Sequence, residues 1–155
     1  MSNIIYMQDL HFSIFINAPI KKVWDTMLED ATYRIWTKPF NEGGSYYEGD
    51  WSEGSKIIFL GPDKDGKVEG GMLSRIKANR QHEYISIEHI GMINKGVEGL
   101  FPENKYANEN YSFVEKDGGT QLDIEMTQIP VEYADDMNAM WPKALEVLKE
   151  LVEKN

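Results

Sequence analysis

The chain has 155 residues, with 16 Lys plus Arg against 26 Asp plus Glu, a formal net charge of -10 and no cysteine. The length fits one domain, 1–155, which buries roughly 70% of its unfolded surface and needs no covalent staples. The acidic balance repels phosphate backbones and anionic lipid, so no nucleic-acid or membrane partner is expected, and the lack of Cys excludes disulfides, thiolate metal sites, iron–sulfur clusters and Cys nucleophiles.

The opening MSNIIYMQDLHF lacks a basic region followed by an apolar run and does not read as a signal peptide. No apolar stretch approaches the roughly 20 residues of a membrane span. With no cysteine to oxidise, a cytoplasmic location is the expectation.

Residues 1–8 read as a loose arm joining a first strand. From Leu10 to Ile16 the pattern alternates, with Leu10, Phe12, Ile14 and Ile16 on one face. Asn17-Ala18-Pro19 stops it, and Pro19 suits a first helical turn. Ile20, Val23, Trp24, Met27 and Leu28 follow at helical spacing, which predicts a helix over 19–28. Asp30 is the expected cap of a second short helix, 31–36, carrying Tyr33 and Trp36. Pro39 ends it.

From Gly43 the chain reads as strands joined by turns. Ser45–Trp51 comes first, with Tyr47 and Trp51 facing the same way. Lys56–Leu60 is next, followed by a turn dense in breakers over 61–66. Lys67–Ala78 is long, and Gly70-Gly71 inside it predicts a bulge or bend. Residues 82–92 form another strand, with Ile85, Ile87 and His89 on one face. Residues 93–105 are expected to be an irregular loop folding back on itself. Tyr106–Glu115 and Thr120–Gln128 form a hairpin around Lys116-Asp117-Gly118-Gly119. Tyr111 and Phe113 share one face there, as do Leu122, Ile124 and Met126.

The last stretch, Ala134 to Glu153, places Met137, Trp141, Leu145, Leu148 and Val152 on one helical face. A stripe that wide must lie against something apolar, and the strand-rich middle of the chain is the available surface. Pro142 inside the pattern predicts a kink near 138–142 or a new segment there. Strands in a run with helices kept apart mean an α+β fold with an antiparallel sheet.

This order, with the start FSIFINAPIKKVWDTM and the end GGTQLDIEMTQIP…MWPKALEVLKELVEK, resembles the START-like, or SRPBCC, superfamily. Its helix-grip fold is also that of birch pollen allergen. Within it the chain looks most like the activator-of-heat-shock-ATPase homologue (AHSA-like) branch. The matching pieces are Ala18-Pro19 with Val23-Trp24, Trp36, the Gly49…Gly54 region, Gly118-Gly119-Thr120 with Leu122, and Trp141 with Leu145 and Leu148. The resemblance covers almost the whole chain. It implies about seven antiparallel strands curved around a long C-terminal helix, with two short helices closing one end. Pro142 after Trp141 and the long 93–105 loop depart from that pattern, and both fall where a pocket mouth is implied.

No catalytic motif stands out. His11, His82 and His89 lie far apart without metal-ligand spacing, so no metal and no cofactor are expected. His11 reads as outward-facing and His82 as solvated. His89 reads either as a polar anchor or general base inside a pocket, or as a core histidine bonded to a neighbour. Glu42, Glu48, Asp50, Glu53, Glu69, Glu88, Asp123 and Glu125 mostly alternate with apolar residues and belong to the wet face of a sheet. Glu48 and Asp50 sit two apart on one face, and Glu88 shares a surface with Arg75. There is no GxSxG, P-loop or GxGxxG after a strand.

Aromatic and Met residues instead converge on one interior. Trp24, Phe12 and Leu148 read as packed core. Trp36, Phe40, Tyr47, Trp51, Phe59, Met72, Ile87, His89, Tyr111, Phe113, Met126, Met137 and Trp141 are the candidate lining of a cavity between sheet and helix, since such residues line adaptable apolar pockets. The expected role is binding of an apolar or aromatic small molecule. Two alternatives stand beside it: a chaperone-ATPase co-factor or other protein-interaction module, and a cyclase- or hydrolase-like enzyme using a pocket His or Tyr.

Overall fold

The first strand, β1 (Met7–Ile16), is followed by two short helices, α1 (Ile20–Leu28) and α2 (Asp30–Trp36). The strands β2 (Tyr46–Gly49), β3 (Lys56–Leu60), β4 (Gly70–Arg80), β5 (Tyr84–Asn94), β6 (Val97–Leu100), β7 (Ala107–Lys116) and β8 (Gly119–Pro130) then run in succession. The helix α3 (Val131–Lys154) ends the chain. This computed structural model describes residues 7–62, 65–68 and 70–154. Met7 and Gln8, expected in the arm over 1–8, already belong to β1; residues 1–6 of that arm, and Asp63, Lys64 and Glu69 of the expected turn and strand, lie outside the described residues.

The strands pair antiparallel in the order β1-β8-β7-β5-β4-β3-β2, with β6 added to β5. The fold is the α+β helix-grip arrangement: an open sheet and a long helix lying on its concave side. Trp141, Ala144, Leu145, Leu148 and Val152 of α3 are buried, as are Ile16, Ile85, Ile87, Tyr111, Leu122 and Ile124 of the sheet. Each fully buried large apolar side chain stabilises by about 1.5–3 kcal/mol, and this interface is where most of them meet.

Several local expectations are revised. Asp30 is the first residue of α2 rather than its cap; Glu29 takes the cap position in extended conformation, and Asp30 pairs with Arg34 one turn on. The helix α3 runs through Pro142 as one continuous element, so no new segment starts there. Proline removes only the N–H that would bond Asn138, and the buried stripe on both sides holds the segment together. Gly70-Gly71 carries no bulge. A Cβ on Gly71 would stand 2.2 Å from the Phe59 carbonyl oxygen, so glycine is there to let β3 and β4 approach. The register instead shifts between Leu73 and Ser74 and between Ile76 and Ala78.

Residues 93–105 are not one irregular loop. β5 extends to Asn94, turns through Lys95 and Gly96, both at positive φ, and returns as β6. Two consecutive positive-φ residues make the tight turn whose twist suits a hairpin. Asp117 and Gly118 do the same between β7 and β8.

The short helices are tied down by aromatic side chains. α1 ends at Leu28, which leaves its last carbonyls without helical partners. Trp36 Nε1 donates to the Met27 carbonyl at 3.0 Å. Tyr47 Oη and Trp51 Nε1 both donate to the Leu28 carbonyl, at 2.6 and 3.0 Å.

Candidate functional site

Between α2, α3 and the sheet lies a cavity of about 620 Å³. That is within the roughly 300–1,000 Å³ typical of small-molecule sites. Its wall includes Trp36, Phe40, Phe59, Met72, His89, Tyr111, Met126, Met137 and Trp141 from the candidate lining. Met92 and Tyr133, both more than half open or nearly so to solvent, also line it, so the cavity reaches the surface there.

Four of the candidates lie elsewhere. Tyr47 and Trp51 are occupied in satisfying the end of α1, behind Tyr33. Ile87 is wholly buried in the packed core. Phe113 sits further along β7, under α1, its ring centroid 5.0 Å from that of Trp24. The end of the sheet beneath α1 is therefore filled, and the space opens at the other end. Phe101 and Lys105, from the segment after β6, contribute to the wall at that end.

The wall carries one polar cluster, on β4, β5 and β7. A bulge in β5 sets Ser74 opposite His89 while Leu73 faces Gly91. The extra residue, Ile90, lets His89 and Met92 both point inward although they are three apart. His89 Nδ1 lies 2.6 Å from Ser74 Oγ, and its Nε2 lies 3.3 Å from Glu109 Oε1. The other Glu109 oxygen accepts the Tyr111 hydroxyl. The His89 and Glu109 side chains are 10% and 15% exposed, so a carboxylate sits inside an apolar cavity.

Glu109 has no place among the wet-face carboxylates expected from the pattern. The signal was nonetheless present: Glu109, Tyr111 and Phe113 are spaced by two and share one face of β7. Burial holds the Tyr111 hydroxyl well above its ordinary pKa, and the negative Glu109 beside it adds to the effect. Tyr33 is raised in the same way, by burial first and then by Glu109. Both phenols therefore remain neutral donors.

Side-chain contacts close into a circuit around this wall. Glu109 meets Tyr111, Tyr111 meets Trp141 (centroids 6.1 Å), Trp141 meets Trp36 (5.9 Å) and Trp36 meets Tyr33 (5.2 Å). Tyr33 meets Phe59 (6.1 Å), Phe59 meets His89 (6.1 Å), and His89 returns to Glu109. Every member lines the cavity.

The cluster is not a nucleophilic triad. Ser74 is fully buried behind the imidazole and does not line the cavity, so its hydroxyl anchors His89 and has no access to a substrate. This part of the wall presents the Glu109 carboxylate, the His89 ring and the Tyr33 and Tyr111 phenols, while Thr37, Ser45, Lys105, Gln128 and Glu132 add polar groups elsewhere on the lining.

The remaining polar candidates are peripheral. His11 is exposed and lies 3.6 Å from Asp123. His82, expected in solvent, packs edge-on against Trp24 at a positive φ. Asp50 lies outside β2, and the Ser52 N–H and the Ser55 hydroxyl hold its carboxyl below the usual range. Glu88 bonds Arg75 on the outer face, as their shared surface predicts. Among the described residues no three His, Asp or Glu converge to hold a metal ion. No described helix is long and apolar enough to cross a membrane.

Residues 17–153 match the family described as Activator of Hsp90 ATPase homolog 1-like protein. The chain belongs to that family. Solved structures with the same fold include a protein from Nitrosomonas europaea, 13% identical with a TM-score of 0.74, the match covering 94% of each chain. A protein from Chromobacterium violaceum is 18% identical at a TM-score of 0.68, covering 94% of this chain and 96% of the other. A solution structure from Cytophaga hutchinsonii is 19% identical at 0.68, covering 96% and 97%. At these identities the likeness concerns the fold. Among curated proteins no sequence match was found.

Proposed function

We propose that this AHSA1-like protein binds a small hydrophobic molecule between α3 and the sheet. The observation that carries the reading is the cavity of about 620 Å³, walled by Trp, Tyr, Phe and Met and bearing a few convergent polar groups. Apolar walls supply affinity, and a small number of placed polar atoms supply orientation. A thermal-shift screen of hydrophobic and aromatic compounds tests it, because a ligand that binds only the native state raises the melting temperature. At a ligand concentration of 100 Kd the gain is about 2.7 kcal/mol. Uniformly absent shifts count against it.

A second reading has its own support. His89, Glu109 and Tyr111 form a hydrogen-bonded chain that faces the cavity. Such a chain is equipped to take a proton from a bound substrate or return it. On this reading Glu109 is the base and Tyr111 the donor, and Glu109→Gln abolishes turnover while leaving ligand affinity within reach of wild type. A chaperone co-factor role is supported by the family description alone; co-purification with a chaperone ATPase at stoichiometric yield is its test.

A further inference from the structure

Resting on the small-molecule reading, we infer that the cavity selects an organic cation: a hydrophobic molecule ending in an ammonium group. The Glu109 carboxylate lines the cavity and is mostly withdrawn from water. A carboxylate in that position needs donors or an opposite charge. It offers about four acceptor sites, and the structure fills two of them, one with the Tyr111 hydroxyl and one with His89 Nε2 at 3.3 Å, a basic partner only when the ring carries a second proton. Among the described residues no lysine or arginine forms an ion pair with it. A primary ammonium supplies donors for the open sites together with a full positive charge, and a quaternary ammonium supplies the charge alone.

The neighbouring rings serve the same end. Tyr111 bonds the carboxylate directly, and Trp141, Trp36, Tyr33 and Phe59 follow it ring to ring along the same cavity wall. Aromatic faces attract cations, tryptophan most strongly, and the attraction grows when the cation is desolvated. The formal charges of the lining are Glu109 and Glu132 against Lys105, and the whole chain carries a net -10. Both disfavour an anionic guest and concentrate cations at the mouth. A neutral alcohol can donate one hydrogen bond to Glu109, but it brings no positive charge to the carboxylate and gains no cation–π attraction from the ring faces.

The test is a matched series on one skeleton: phenylbutyltrimethylammonium, phenylbutylamine, phenylbutanol and phenylbutyrate, titrated calorimetrically into the intact protein near neutral pH. The expected order is ammonium and amine about tenfold tighter than the alcohol, in line with desolvated cation–π and ion-pair contacts, with no binding of the carboxylate. Glu109→Gln, which keeps shape and an acceptor for Tyr111, removes most of the amine's advantage over the alcohol, the ring-face attraction alone remaining, and leaves the alcohol nearly unchanged. If alcohol and amine bind equally, or the carboxylate binds best, the cation inference falls while the cavity reading stands. If no member binds and the hydrophobic screen is also silent, the cavity reading falls and takes this one with it. The wild-type ranking decides the matter even should the variant fail to fold.

Discussion

His89 Nδ1 lies 2.6 Å from the Ser74 hydroxyl on the neighbouring strand. Both residues are buried, and the contact fixes the ring so that Nε2 points to Glu109. Ser74→Ala leaves one buried nitrogen without a partner. The expected loss is about 1–3 kcal/mol, the desolvation penalty of an orphaned polar group. Chemical denaturation, with the slope unchanged, measures it. A loss below a few tenths would mean that water replaces the hydroxyl.

That contact also shows what could and could not be read from the chain. The alternation of Ile85, Ile87 and His89 places the imidazole inside, and nothing in it identifies Ser74, because the pairing depends on a bulge. Glu109 was hidden for a different reason. Charge argues for solvent, and only the company of Tyr111 and Phe113 on the same face argues against it. The face of α3 was legible because burial demands a stripe of Trp141, Leu145, Leu148 and Val152. The hairpin of β5 and β6 was not, because Val97 and Leu100 are about 70% exposed and no buried face imposes a period. Tyr47 and Trp51 point inward as their spacing implies, yet they are consumed in capping α1, a role that depends on where α1 stops.

Gly71 tests the close approach of β3 and β4. An added Cβ meets backbone, the Phe59 carbonyl oxygen, at 2.2 Å, so no side chain can simply swing away. Gly71→Ala should destabilise by about 1–3 kcal/mol through overpacking. Gly54→Ala is a poor control because Gly54 has a positive φ. Gly99→Ala is the better one, since a Cβ there meets nothing within 4 Å, and thermal melts of the two variants should show it near neutral beside a destabilised Gly71→Ala.

The two cavity tyrosines predict the alkaline limb of the stability curve. Burial, with Glu109 and the other hydroxyls contributing, raises Tyr33 and Tyr111 well above the ordinary value of 10.0. Above that pH the unfolded chain releases these protons while the folded one retains them, so the unfolded state binds fewer protons. Stability then falls as pH rises. The contribution is complete below pH 10 and disappears progressively above it. Paired Tyr33→Phe and Tyr111→Phe replacements should flatten the decline beyond pH 10 relative to wild type. Parallel curves would show that other groups govern that limb.

Along one face of α3 the packed core gives way to the cavity wall, and two substitutions should separate them. Leu148 is fully buried in the core, whereas Met137, three turns nearer the helix start, is only partly buried and lines the cavity. Leu148→Ala removes contacts that nothing can replace and should lose about 2–5 kcal/mol. Met137→Ala borders existing space and should fall at the low end of that range or beneath it. Binding should reverse the order. A neutral hydrophobic probe such as phenylbutanol loses wall contacts with Met137→Ala and keeps them with Leu148→Ala, measured below the variant's melting temperature. Equal effects on binding from both positions would mean that the probe does not sit against this end of the helix.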